Sequence, residues 1–162
     1  MQLKKIDSKN FDKSFEKLFE IKKGDNIVKG RFDIEPIQLK EKIDFITHLL
    51  LSFKSVSSLT YKILFWDSDK IIQKFIESNK EKIFEIITPY KNGEMPGTLF
   101  IDERAIDEAF LHTLLINHFN YEMAKDPSLN IRVQICVNHE KYITLLDIYD
   151  DRGFDIYYLK CR

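Results

Sequence analysis

The sequence predicts an α+β fold: a mainly antiparallel sheet that ends in a C-terminal three-stranded meander, with helices packed on the sheet. Three observations carry that expectation. Ile131, Val133, Ile135 and Val137 alternate with Arg132, Gln134 and Cys136, and two more β-rich runs follow across short polar breaks. Consecutive antiparallel strands have this pattern. Leu59 to Trp66 is nearly continuous in β-branched and aromatic character, as expected of a central strand covered on both faces. Elsewhere apolar residues recur at helical spacing, as in Leu39, Ile43, Ile46, Leu50 and Phe53.

The elements follow in order. Phe11, Phe15, Leu18 and Phe19 fall on one helical face, and Gly24 is a stop signal. Asn26 to Ile34 is β-like, interrupted at Gly30. Pro36, at a first-turn position, opens the helix that carries the Leu39 to Phe53 stripe. Ser55 to Ser58 is a polar loop before the central strand. Asp67 and Ser68 cap a helix from Asp69 to Ser78. Glu81 to Thr88 fits a helix through Ile83, Ile86 and Ile87, and also a strand that ends at Pro89; the strand is preferred. Asn92-Gly93 to Pro96-Gly97 is a loop and Thr98 to Ile101 a short strand. Asp102 caps a helix reaching Phe119, apolar almost all round and therefore expected to be largely buried. Asn138 to Lys141 is a hairpin turn, and the last two strands lie between Tyr142 and Cys161.

Composition removes several functional classes. The 162 residues are 44% hydrophobic and 13% aromatic, which suits a single domain, residues 1–162, with a real core. Charged residues make up 31% and nearly cancel, leaving a net charge of -1. Disorder needs low hydrophobicity and high net charge. Nucleic-acid binding is carried by a basic balance or stripe, whereas the lysines here are scattered among acids. Met1 to Asn10 has no apolar signal-peptide core, and no apolar run approaches the ~20 residues that cross a bilayer. A cytoplasmic protein that engages neither nucleic acid nor membrane is expected. Cys136 and Cys161 make neither a disulfide framework nor a C-x-x-C motif.

The densest polar feature is Asp150-Asp151-Arg152-Gly153-Phe154-Asp155, with three acids, one arginine and one glycine in six residues between two apolar runs. It reads as a hairpin turn, because aspartate carboxylates accept nearby backbone N–H groups. Gly153 is expected to supply the positive φ of a type I turn with a G1 bulge. Arg152 is expected to pair with Asp150 or Asp155. The functional reading of the same knot is a small polar site in which Asp150, Asp151 and Asp155 bind a cation or a basic partner group, with Arg152 and Arg31 beside them as further candidate binding residues. Arg31 and Asp33 share a strand face and suit an intrastrand ion pair; the alternative is that Arg31 reaches the knot across the sheet and braces it. No metal is expected, since Arg152 places positive charge where a cation would sit and the spacing is not that of a calcium loop.

The run Leu146-Asp147-Ile148-Tyr149-Asp150-Asp151-Arg152-Gly153-Phe154-Asp155-Ile156 resembles the C-terminal signature of a bacterial family known only as domain of unknown function 3885. That signature is a strand, then Tyr-Asp-Asp-Arg-Gly, then a strand opening with an apolar residue and Asp. Arg31-Phe32-Asp33 is similar to the family's earlier Arg-Phe-Asp or Arg-Phe-Glu, set in a strand before a helix. The following helix reads Leu39-Lys40-Glu41-Lys42-Ile43-Asp44 in place of the family's Arg-Ala pair. The resemblance spans Arg31 to Leu159, implies this order of elements, and brings no established activity with it.

The remaining candidates are plainer. His112 and His118 are six apart on one helix and point in different directions, and His48 and His139 stand alone, so each reads as a surface or helix-end residue and zinc is not expected. Thr113 and Asn117, at i and i+4, either form a buried pair that bonds locally or line a pocket. Cys136 alternates away from its strand's apolar row as a reachable thiol, with no basic neighbour to lower its pKa. Asp102 and Glu103 suit a helix N-terminus. There is no G-x-S-x-G, Walker or dinucleotide loop, and neither catalytic residues nor cofactors are expected. Two functions remain. One is a non-enzymatic protein-binding module, such as an immunity or antitoxin-like partner of a secreted bacterial toxin. The other is an enzyme with an unrecognised polar site around Asp150–Asp155.

Overall fold

A computed structural model describes residues 27–66, 70–88 and 96–160. The expected Phe11–Phe19 helix, the Gly24 stop, the Asp67–Ser68 cap, the Asn92-Gly93 part of the loop and Cys161 lie outside the described residues.

The described residues form seven strands, β1 (Ile27–Asp33), β2 (Val56–Phe65), β3 (Ile83–Ile87), β4 (Gly97–Glu103), β5 (Ile131–His139), β6 (Tyr142–Ile148) and β7 (Gly153–Lys160). Three helices accompany them: α1 (Leu39–Ser52), α2 (Lys70–Ser78) and α3 (Glu108–Glu122). The strands make one antiparallel sheet in the order β1-β7-β6-β5-β2-β4-β3. The fold class is therefore α+β with helices on the sheet, and β5, β6 and β7 are the C-terminal meander. β2 lies between β5 and β4, and Tyr61 is opposite Ile135 on one side and Ile101 on the other. The chain closes on itself, since β1 pairs with β7 and places Arg31 opposite Asp155 and Asp33 opposite Gly153.

The period-2 pattern decides what is buried where. Tyr61, Ile63, Leu99, Val133, Ile135, Leu146 and Phe154 share the face that packs on Ile43, Ile46 and Leu50 of α1 and on Phe110, Leu114 and Phe119 of α3. The other face is closed at its centre as well, with Phe100, Cys136 and Leu145 fully buried. Cys136 does point away from its apolar row, yet it is not a reachable thiol.

Several boundaries differ from expectation, each for a physical reason. Pro36 lies in a turn closed by the Ile37 N–H on the Ile34 carbonyl, and α1 begins later, at Leu39. The expected Ser55–Ser58 loop is shorter, because β2 starts at Val56 and takes up the mismatch as a bulge before Ser58. Glu81–Thr88 is resolved in favour of strand, with β3 paired on β4 at the sheet edge. Asp102 and Glu103 belong to β4, not to a helix N-terminus. The Thr60 hydroxyl donates to Asp102 Oδ1 at 2.6 Å, and the β2–β4 ladder runs on through both acids. Asp107 caps α3 instead, its Oδ1 accepting from the Phe110 N–H at 3.0 Å. α3 is buried on Phe110, Leu111, Leu114, Leu115, His118, Phe119 and Asn120, while Glu108, Ala109, His112, Thr113 and Tyr121 face outward.

Candidate functional site

Tyr149 to Arg152 link β6 to β7, and the turn is built around one carboxylate. Asp150 Oδ1 accepts from the Arg152 N–H at 2.8 Å, and Oδ2 accepts from Arg152 Nε at 2.8 Å and from an Arg152 Nη at 2.5 Å. Asp150 is buried, whereas the Arg152 side chain is 66% exposed. Burial works against the Asp150 charge, but the hydrogen bonds and charge of Arg152 outweigh it and hold the carboxyl below its ordinary range. Bonding to Asp150 in turn raises the Arg152 guanidinium. Lys42 of α1, itself buried, donates through Nζ to the Asp151 carbonyl at 2.5 Å and stands 3.8 Å from Asp151 Oδ2. The turn is thus tied to the helical layer as well as to the sheet.

Gly153 does not hold the positive φ of a G1 bulge. Its constraint is close approach. A Cβ at this position would stand 2.7 Å from the Phe32 carbonyl oxygen and 3.1 Å from the Tyr149 hydroxyl. Glycine is needed because β1 crosses there, with Asp33 opposite Gly153 and the Ile34 N–H donating to the Arg152 carbonyl at 2.8 Å.

Arg31 turns to the knot. One Nη donates to the Tyr149 hydroxyl, the guanidinium carbon lies 5.4 Å from the centroid of that ring, and Nε is 4.0 Å from Asp155 Oδ1. Asp33 is used locally, its Oδ1 accepting from the Glu35 N–H at 3.0 Å. The five residues singled out from the sequence, Arg31, Asp150, Asp151, Arg152 and Asp155, therefore gather at one corner of the sheet, where β1, β7 and the β6–β7 turn meet. Asp155 is in β7 and not in the turn. Below them Phe32 and Phe154 stack with centroids 5.1 Å apart, and Phe45 of α1 tilts against both.

Sequence reasoning missed the groups that support this corner. Lys42 gave no signal, because a lysine beside an apolar helical stripe is ordinarily solvated. Asp147 is buried and holds Arg132 through two bonds, at 2.9 and 2.5 Å, with the Gln134 amide at 3.3 Å. Only strand register brings these three together, since Gln134 is opposite Asp147. His118 is not a surface residue; it is 1% exposed, and Nδ1 bonds the Ile131 carbonyl at 2.7 Å. Burial is the main cause that pushes its pKa down to about 4, so the ring is neutral at pH 7 with the proton on Nδ1. Glu122 is raised, by burial first and then by the charges of Asp150 and Asp151. His139 is buried as well, with Nδ1 on the Lys54 carbonyl, Nε2 on the Thr144 hydroxyl and its ring stacked on Tyr142.

Thr113 and Asn117 bond locally, the Asn117 amide donating to the Thr113 carbonyl at 2.8 Å, but Thr113 is exposed and Asn117 half-buried, and both line a cleft. Among the described residues no three His, Cys, Asp or Glu side chains converge on a metal position, and no helix is long and apolar enough to cross a membrane. No family model, no curated protein and no solved structure matches the chain.

Proposed function

We propose that this protein is a non-enzymatic protein-binding module of the bacterial cytoplasm, immunity or antitoxin-like in kind, whose contact surface is the β1–β7 corner. One observation supports this reading above the rest. The side chains of Arg31 and Arg152 are 69% and 66% exposed, yet Arg152 is held by the Asp150 carboxylate and Arg31 by the Tyr149 hydroxyl, with Asp155 at 4.0 Å. An arginine already ordered loses little side-chain entropy when it meets a partner carboxylate, and it keeps guanidinium N–H groups free to donate. Arginine is also enriched at the energetic centres of interfaces. The acids of the knot support the same reading. Asp150 and Asp151 are occupied with Arg152 and Lys42, so they serve as braces rather than as a general acid and base. The partner this surface fits presents acidic side chains rather than the basic group expected from the knot's carboxylates, because Asp150 and Asp151 already hold Arg152 and Lys42.

The test is affinity capture from extract of the native host, at low and high salt. Wild-type protein is expected to retain one stoichiometric protein partner at low salt. Arg31→Ala/Arg152→Ala is expected to lose it while circular dichroism stays that of the wild type. A partner retained equally by the double variant places the interface elsewhere. Recovery of a co-purified metabolite and no protein favours the enzyme reading of the knot.

A further inference from the structure

We infer a second site, independent of the corner: a cleft between α2 and α3 that takes a small organic anion carrying an aromatic ring. α1 packs against α3 more closely than α2 does, and between α2 and α3 lies a cleft of about 490 Å³. That volume is in the range of small-molecule sites, about 300–1,000 Å³. One end is held by an ionic strut. Lys82 Nζ lies 2.9 Å from Glu103 Oε1 and 2.6 Å from Asp107 Oδ2, and Asp107 caps α3. The strut fixes the start of β3 to the start of α3, so the cleft is a built space rather than a loose seam.

The lining determines the ligand. Phe75 of α2 and Phe110 of α3 supply aromatic surface, while Thr113 and Asn117 supply polar atoms one turn apart. The charged lining residues are Lys74, Lys82 and Asp107, and Lys82 is offset by its two acids, Asp107 and Glu103, which leaves Lys74 as the lining charge outside the strut. Lys82 Nζ already stands 4.6 Å from the Phe110 ring centroid, where a ligand cation would seek the π face. At the Lys74 end of the cleft an anion is therefore favoured over a cation. Lys74 is exposed on α2 and is the group placed to meet the anionic end, because Lys82 is committed to its two acids.

The experiment uses the full-length protein and anilinonaphthalene sulfonate, an aromatic anion, beside its uncharged parent anilinonaphthalene. Fluorescence titration is expected to show saturable one-to-one binding of the sulfonate, with the uncharged parent weaker by about tenfold, the size of one good charge-assisted contact. Thr113→Trp, on the exposed side of α3, is expected to fill the cleft and abolish binding. Lys74→Glu is expected to erase the preference for the anion, and Lys40→Glu on α1 to change nothing. Near-ultraviolet circular dichroism confirms that each variant is folded. Absence of saturable binding, unchanged affinity in folded Thr113→Trp, or a preference that survives Lys74→Glu each overturns the site.

Discussion

At the scale of single residues, Gly153 and His118 show how position sets the cost of a side chain. The two origins of a required glycine are separable by substitution. A positive φ tolerates asparagine better than alanine. A Cβ crowded against a backbone carbonyl tolerates neither. With the Phe32 oxygen 2.7 Å from the ideal Cβ position, Gly153→Asn and Gly153→Ala are expected to destabilise alike, and Gly153→Val most. The expected loss for Val is about 1–3 kcal/mol, the usual range for overpacking. Urea midpoints of the three variants check this, and an asparagine variant as stable as wild type would refute it. His118 makes a prediction about pH. Its folded pKa, about 4, lies below the ordinary histidine value of 6.5, so the unfolded chain takes up the proton first as pH falls. Its contribution is complete above pH 6.5 and is lost as pH falls toward 4, by up to about 3 kcal/mol at 1.36 kcal/mol per unit. Asp150, whose folded pKa is depressed, adds a separate loss as pH falls through the carboxylate range. Denaturant unfolding of His118→Gln from pH 7 to 4 is expected to be flatter than that of the wild type; parallel curves would remove His118 from the explanation.

At the scale of elements, what the sequence disclosed was local and what it concealed was relational. Leu59–Trp66 was legible as a central strand because burial on both faces demands a continuous run, and β2 differs from that reading only at its ends. The meander was legible from alternation and turn chemistry. Asp102 misled because a carboxylate before an apolar run looks the same at a strand end as at a helix cap, and only pairing with Thr60 decides between them. At the site, the acids and arginines of the knot were readable from their density, and so was the reach of Arg31 as an alternative. Lys42 was not, since its burial depends on where α1 settles over the β6–β7 turn. The cleft was half visible, as Thr113 and Asn117, and its other wall belongs to a helix far away in sequence. The Lys42 brace gives a prediction about how α1 holds the turn. Lys42→Met keeps the buried stem and removes the donor, leaving the Asp151 carbonyl unmatched; about 1–3 kcal/mol should be lost. Asp151→Ala leaves that carbonyl bond in place and should cost less, about 0.5–1 kcal/mol. Thermal and urea unfolding of both variants give the order, and a larger loss for Asp151→Ala would show that the 3.8 Å ion pair rather than the carbonyl bond anchors the turn.

At the scale of the molecule, the proposed contact surface depends on the pairing most remote in sequence. Arg31 reaches Asp155 and Tyr149 only because β1 lies against β7, the last strand of the meander. Such non-local ladders form late and are slow to fold, since their loop-closure entropy is lost before their contacts form. The corner is nonetheless joined to the main core: Phe154 and Ile156 of β7 and Ile34 after β1 belong to the same buried cluster as Tyr61 and Phe119. Unfolding at the corner should therefore coincide with unfolding of the whole sheet. The measurement compares three probes in urea: far-ultraviolet circular dichroism, fluorescence of Trp66 beyond the end of β2, and fluorescence of a tryptophan placed at Tyr149. The Tyr149→Trp variant sacrifices the hydroxyl that Arg31 donates to, so it is a weakened corner and a stringent test. Coincident midpoints are expected from the first two probes in wild type and from all three in the variant. A tryptophan at position 149 that reports an earlier transition while circular dichroism stays native would mean that β1 detaches alone. The exposed arginines would then be ordered only in part of the population, and their preorganisation, on which the protein-binding proposal rests, would fail.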